Sequence, residues 1–307
     1  MNLFEYTYNL VRQIPDGQIS SYGAVANALG DIVASRAVGR MMNQNPDADD
    51  MPCFKIVHSD GRLGGFGLGI RNKIRRLRKD NILVKNGRIN NFENIFFDSF
   101  KTNYPLKILR KEQIDLSKKV ILKDDFDKIE TIAGIDVAYP KSEFEKACGA
   151  CVIIDYETKE VIEKKVIHSK TDFPYISTYL TYRELPIIEK LVNKIRIKPT
   201  VFMFDGNGVL HPYGIGLAAH VGVIFNISSI GIAKRLLCGK VNNNVISING
   251  EKRGYSFYSS NKIRNPIYVS PGNKISFNTS LKIVKSLSKF KIPEPIRLAH
   301  NLANISL

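Results

Sequence analysis

Acidic residues are in short supply in this 307-residue chain: 29 Asp and Glu stand against 45 Lys and Arg, a net charge of +16. A deficit this large favours a polyanionic partner, most often nucleic acid, with a solvated basic face as the alternative. The imbalance is uneven, since residues 1–100 hold 13 basic and 10 acidic side chains and the remainder carries the excess. Cysteine is scarce as well. Cys53, Cys148, Cys151 and Cys238 are too few and too scattered for a disulfide framework. Cys148 and Cys151 form a C-G-A-C pair, but KACGACVIID reads as a strand, where positions three apart face opposite ways. No second pair completes a zinc site. No apolar run approaches the roughly 20 residues of a membrane-spanning helix, and the N-terminus lacks the charged-then-apolar layout of a signal peptide. The expectation is a cytoplasmic protein without membrane contact.

What is present is ample apolar material, 44% of residues, in a chain long enough for two domains. Residues 1–85 read as a small, mainly helical domain with a loop-rich second half. The stretch NGRINNFENIFFDSFKTNY (86–104) has no clear period and reads as a linker, although its phenylalanines call for a packing surface. From 105 to 307 strands alternate with helices, the pattern of an α/β domain.

In the first domain, SSYGAVANALG (20–30) starts on a serine cap and stops at Gly30, with Val25 and Leu29 on one face. A second helix follows from Val33 to Asn43, with Val38 and Met42 inward and Arg36 and Arg40 outward. Two short helices around a tight turn make a helix-turn-helix whose second helix would meet DNA. An ordinary helical hairpin with solvated arginines fits the pattern equally. Next comes MPCFKIVH (51–58), with Cys53 between a proline and an aromatic. A nucleophilic cysteine needs a base or a positive field, because a free thiol titrates at about 8.5. Phe54 supplies neither.

These residues carry a resemblance. Tyr22, Arg36-Ala37-Val38-Gly39, Asn45-Pro46, Pro52-Cys53, Gly64-Gly65-Phe66-Gly67 and Lys73 stand in the order and spacing of the active-site domain of O6-alkylguanine-DNA alkyltransferases. The likeness covers residues 1 to about 81. It implies a winged helix-turn-helix-like domain in which Cys53 irreversibly accepts an alkyl group from a flipped-out guanine. By the same resemblance Arg36 fills the gap in the stack, Tyr22 helps rotate the phosphate, and Asn45 braces the turn presenting Cys53. Arg40, on the same helix, joins the DNA-facing set. The family's Pro-Cys-His-Arg reads Pro-Cys-Phe-Lys here, and Asp80 stands where a glutamate usually orients the histidine. Lys55 or a helix N-terminus is then the candidate for lowering the thiol. A domain that recognises lesions without transfer is the alternative.

In the second domain, TIAGIDVAYP (131–140) places Asp136 inside an apolar strand, where an unpaired carboxylate is costly. VFMFDGNG brings a second apolar strand to its end at Asp205, and Glu184 sits in the amphipathic stretch TYLTYRELPIIEKL. Three acids from separate elements suit a hard divalent cation such as Mg²⁺, with Mn²⁺ as a substitute, and phosphodiester hydrolysis. GIDVAYP, Pro174-Tyr175-Ile176, Tyr182-Arg183-Glu184, FDGNG with His211-Pro212, Gly231-Ile232-Ala233-Lys234, Ser270-Pro271-Gly272 and PEPIRLAH (293–300) resemble the successive signatures of endonuclease V. That resemblance implies a ribonuclease H-like fold cutting the second phosphodiester 3′ to deaminated bases, chiefly hypoxanthine. It makes Asp136, Glu184 and Asp205 the metal set, Lys234 the group that stabilises phosphate charge, and Tyr175 the wedge at the lesion. His211 and His220 match family histidines, His211 as a DNA-contact candidate. Ser177 replaces the usual second proline of the wedge, and Asn273 replaces a histidine. The expected partner is double-stranded DNA with deaminated or alkylated bases, with inosine in RNA as the alternative substrate. No obligate protein partner is called for.

Overall fold

The computed structural model describes residues 1–45, 47, 49–141, 145–260 and 264–307, so Pro46 of the Asn-Pro pair lies outside the described residues. The chain divides into two compact units. One is Met1–Lys111 with Asp172–Ser177; the other is Glu112–Thr171 with Thr178–Leu307.

The first unit opens with α1 (Leu3–Val11), β1 (Ser20–Ser21), α2 (Tyr22–Leu29) and α3 (Ser35–Asn43). Ser21 caps α2 by accepting from the amide of Ala24 at 3.0 Å, and Gly30 ends it in the left-handed region (φ 107°). Residues Ile32–Ala34 form a 3₁₀ turn, so α3 starts two residues later than the apolar spacing suggests. Ala37, Val38, Met41 and Met42 are buried on α3, while Arg36 and Arg40 are exposed. Cys53–Lys55 is a single 3₁₀ turn leading into β2 (Ile56–Val57), which pairs in parallel with β1. After α4 (Ile70–Lys79) comes a hairpin, β3 (Val84–Lys85) and β4 (Arg88–Ile89). Asn86 and Gly87 both adopt positive φ in its turn, as a two-residue hairpin of this type requires. The stretch 86–104 therefore lies inside this unit: Ile89 is buried with Ile19, Val57, Leu77 and Ile82, and Phe92, Ile95 and Phe96 pack against that cluster.

The boundary between the units falls within α5 (Pro105–Ser117). The second unit contains β5 (Thr131–Ala138), β6 (Ala147–Asp155), β7 (Val161–Ser169), α6 (Leu180–Lys194), β8 (Val201–Asp205), α7 (Leu217–Ile224) and β9 (Ser229–Ala233). β10 (Lys240–Asn242), β11 (Val245–Ile248), β12 (Glu251–Phe257), β13 (Ile267–Pro271), α8 (Phe277–Leu287) and α9 (Glu294–Ile305) complete it. The described strands make one nine-stranded sheet in the order β10-β11-β12-β13-β9-β8-β5-β6-β7, parallel at β5–β8 and β8–β9 and antiparallel elsewhere. Strand alternation feeds two cores. On one face Ile132, Val152, Val201 and Met203 meet Ile283 and Val284 of α8 and Ile296 and Ala299 of α9. On the other, Ala133, Ile135, Phe202 and Phe204 meet Ile187 and Ile188 of α6 and Val221 of α7. Cys148 and Cys151 are both buried on β6, and Cys151 belongs to the second core.

Candidate functional site

Each unit gathers its own set of chemically active side chains. In the second, β5 and β8 run parallel with Ile135 beside Phe204, so the next residues along, Asp136 and the last residue of β8, Asp205, are neighbours on adjacent strands. Both share the sheet face of Ile132, Val201 and Met203, the face covered by α9. α9 can come close because β5 has Gly134 where the helix crosses: a Cβ there would lie 2.2 Å from the backbone of Pro295. Two residues along the strand and five along the helix cover similar distances, about 7 Å each. His300 therefore arrives beside Asp136, with Nδ1 2.6 Å from Oδ2.

Asp136, Asp205 and His300 each offer one ligand atom within 4.8 Å of the others, which fits a divalent cation: two carboxylate oxygens and an imidazole nitrogen. Glu184 is not one of the atoms in that convergence. Its helix, α6, lies on the opposite face of the sheet, so its carboxylate comes from the other layer. It is near enough to matter electrostatically. Burial first, then repulsion from Asp136 and Asp205, pushes it well above the usual carboxylate range, and Arg183 only partly offsets this. Asp205 is raised for the same reasons, burial and then Asp136, against the pull of Lys234. Lys234, one residue past β9, places Nζ 2.5 Å from Asp205 Oδ2. A set of acids held together against their own repulsion is what a cation would relieve.

His211 is buried, accepts at Nδ1 from the amide of Tyr213 at 3.3 Å, and leans on the Tyr213 ring. His220 is fully buried, edge-on to Tyr182, and burial lowers it to about 4, so it is neutral at physiological pH. Asn273 is a brace. Its Oδ1 accepts from the amide of Ile121 at 2.9 Å and its Nδ2 donates to the carbonyl of Gly222 at 2.9 Å, ties that require no titrating group.

In the first unit, Cys53 is buried, with Asn45 Nδ2 donating both to Sγ at 3.2 Å and to the carbonyl of Met51 at 3.2 Å. A cavity of about 380 Å³ opens onto it, lined by Met42, Asn45, Phe66, Gly67 and Arg76 among others. Burial raises the thiol, while the Asn45 hydrogen bond, then Lys73, and more weakly Arg76 pull it down. Lys55 does not serve here, contrary to the expectation from its place in the motif. Its Nζ is buried against Asp80 at 3.0 Å and Asp16 at 3.1 Å and donates to the carbonyl of Pro15. His58 is exposed and meets Tyr22 edge-on at 5.4 Å. Tyr22 is fixed by Gly64, where a Cβ would fall 2.1 Å from its hydroxyl. Arg36 is exposed on α3. Arg40 is engaged: its Nη2 donates to the carbonyl of Tyr175 at 2.6 Å and its guanidinium lies over the Tyr175 ring at 5.5 Å.

His300, the last residue of PEPIRLAH, is the member of this group that the sequence motifs do not single out. A usable signal was present: Ile296, His300 and Ala303 follow helical spacing, which puts a histidine on the inward stripe of α9.

Comparison with known proteins matches this division. Residues 114–301 match the Endonuclease V family, and residues 2–82 match the DNA binding domain of 6-O-methylguanine DNA methyltransferase. A bifunctional methyltransferase/endonuclease of Picrophilus torridus is 41% identical over 301 residues, covering 98% of this chain and 95% of that protein. One from Thermoplasma volcanium is 39% identical, covering 100% and 91%. Among solved structures, the Ciona intestinalis endonuclease V in complex with inosine-containing DNA superposes with a TM-score of 0.61 at 30% identity, covering 66% of this chain and 97% of that one. The catalytic domain of human endonuclease V gives 0.62 at 25% identity, covering 67% and 97%. The chain belongs to the endonuclease V family and, over its full length, to the bifunctional methyltransferase/endonucleases.

Proposed function

We propose that this chain is a DNA-repair protein with two activities: divalent-metal-dependent nicking of DNA 3′ to deaminated bases, and transfer of the alkyl group of O6-alkylguanine to Cys53. The convergence of Asp136 on β5, Asp205 at the end of β8 and His300 on α9 carries the first half. The finer fold assignments belong to this reading too: a ribonuclease H-like second unit, with its mixed sheet covered on both faces, and a winged helix-turn-helix-like first unit.

In the nuclease site Asp136 and Asp205 hold the cation, Mg²⁺ by preference for hard oxygen ligands, and His300 either joins them or orients Asp136. Glu184, raised by burial, is placed to hold a proton or a ligating water from the opposite layer. The bound ion supplies charge neutralisation at the scissile phosphate and an activated water. Lys234 leaves Asp205 for the phosphate when substrate arrives, a short reach from a 40% exposed side chain. Tyr175, exposed beside Arg40, is the candidate wedge, and Arg36 and Tyr22 are candidate DNA contacts, whereas His211 is too buried to meet DNA directly. In the first unit Asn45 holds Sγ toward the cavity into which a flipped base would enter.

The test uses one preparation on two substrates. Wild-type protein with Mg²⁺ nicks an inosine-containing duplex, and Asp205→Ala reduces that at least about a thousandfold. With O6-methylguanine DNA labelled in the methyl group, label appears on Cys53 in both proteins. Undiminished nicking by Asp205→Ala would refute the metal assignment, and absence of label on Cys53 would leave the first unit a recognition module. A matched inosine-containing RNA in the same assay measures the preference between the two polymers.

A further inference from the structure

Residues 172–177 carry the candidate wedge, and they belong to the first unit. The amide of Leu3, at the start of α1, donates to the carbonyl of Asp172 at 2.8 Å. Phe173, Pro174 and Ile176 are buried, so Tyr175 is the one side chain of that run turned outward, 47% exposed. Arg40 of α3 meets it there. Its Nη2 donates to the carbonyl of Tyr175 at 2.6 Å, and its guanidinium lies over the ring at 5.5 Å. A planar fork can do both at once, an edge bonding while the face stacks. Among the described residues no carboxylate pairs with Arg40, and both its hydrogen bond and its ring contact are to Tyr175. A cavity of about 690 Å³ lies alongside, lined by Arg36, Arg40, Tyr175 and Ile176 among others. The segment has a use for such a tie. Ser177 does not confine the backbone of Ile176 as a proline there would, and Thr178 follows in the left-handed region (φ 69°), which surrounding contacts must hold.

We propose that Arg40 is a positioning residue for Tyr175, so that α3 serves the recognition of deaminated bases by holding the group that enters the base stack beside them. Prying stacked bases apart works only if the backbone behind the wedge does not recoil as they resist. The bond to the Tyr175 carbonyl opposes that recoil, and the guanidinium against the ring limits its swing without engaging the hydroxyl. Arg40 is thereby distinguished from Arg36, one turn back on α3 and on the same cavity. Arg36 stays exposed and available to DNA, whereas the Nη2 with which Arg40 would reach a phosphate is committed to the carbonyl. The inference rests on the reading of Tyr175 as the wedge.

The experiment compares Arg40→Ala, Tyr175→Ala and the double variant in the full chain. Nicking of an inosine-containing duplex with Mg²⁺ gives kcat/KM. A 2-aminopurine next to the inosine, read without metal, brightens when its stack is opened. Affinity for an undamaged duplex over a salt series counts phosphate contacts. Arg40→Ala is expected to lower kcat/KM about five- to tenfold and to dim the 2-aminopurine signal. Its affinity for undamaged DNA and the salt slope stay those of wild type. In the Tyr175→Ala background, Arg40→Ala removes nothing further, because its effect passes through that ring. Losses that multiply in the double variant overturn the inference, as does a salt slope shallower by about one, the mark of a phosphate contact. So does wild-type nicking by Arg40→Ala when Tyr175→Ala is impaired. Wild-type nicking by Tyr175→Ala defeats the wedge reading itself, and the inference with it.

Discussion

Gly134→Ala adds one methyl group to β5 at the point where α9 crosses it. The new Cβ would sit 2.2 Å from the carbonyl carbon and oxygen of Pro295 and 2.7 Å from the amide nitrogen of Ile296. All of these atoms are backbone, so no rotamer change relieves the clash. Ordinary contact begins near 3.4 Å, so the helix must retreat by about 1.2 Å. His300 rides on the same helix, and its 2.6 Å contact with Asp136 would open to about 3.8 Å, beyond hydrogen-bond reach. Overpacking of this kind costs about 1–3 kcal/mol, which for a unit of this size lowers the melting temperature by roughly 2–12 °C. Displacing a catalytic group by about 1 Å costs on the order of a hundredfold in rate. The assay is nicking of an inosine-containing duplex at saturating Mg²⁺, with thermal melts run beside it. A rate within about twofold of wild type, in a protein whose melting point has fallen, would show that the position of α9 does not set the site.

Other consequences are separable from this one. Asp80→Asn removes the main anion facing a lysine whose side chain is only 3% exposed, leaving Asp16, which is itself exposed, and backbone carbonyls. The expected loss is about 2–3 kcal/mol, below the usual cost of breaking a buried pair because those partners remain. Faster amide exchange in peptides spanning 53–82 reports it, and unchanged exchange would count against the ion pair as a structural tie. His220 gives a pH signature. Its folded value of about 4 lies below the unfolded value of about 6.5, so the unfolded chain binds the extra proton between those limits. Stability therefore falls as pH drops from about 6.5 to 4, by about 3 kcal/mol in all, and is intact at neutral pH and above. His220→Phe should flatten that part of the stability–pH curve; an unaltered slope would place the titration elsewhere.

Local chemistry was legible where one residue type has few uses. Ser21 and Gly30 bound α2 because a serine oxygen at the N-cap and a left-handed glycine past the C-terminus satisfy backbone groups nothing else nearby can reach. Asp136 and Asp205 stood out because a carboxylate in an apolar strand has to answer to something. The hairpin at Asn86-Gly87 carried an equally plain turn signal, and the surrounding Asn and Phe composition masked it. Lys55 illustrates the opposite case. Its place two residues after Cys53 suggests a cation for the thiol, whereas the 3₁₀ turn Cys53–Lys55 points it away, into Asp80 and Asp16.

By itself the amino-acid sequence determined the two-part organisation, the apolar strands that carry acids, the helix pair bearing Arg36 and Arg40, and a basic character that favours a polyanionic partner. These follow from periodicity, capping and charge, which act over a few residues or over the whole composition. Only the tertiary structure decided that His300 meets Asp136 while Glu184 stands in the opposite layer. It alone set Asn273 as a brace and Lys55 as a partner of Asp80. Those outcomes depend on which face of a sheet a helix covers and on where a buried charge finds its counter-ion. Both are settled by packing between residues far apart in the chain, and no local pattern encodes them.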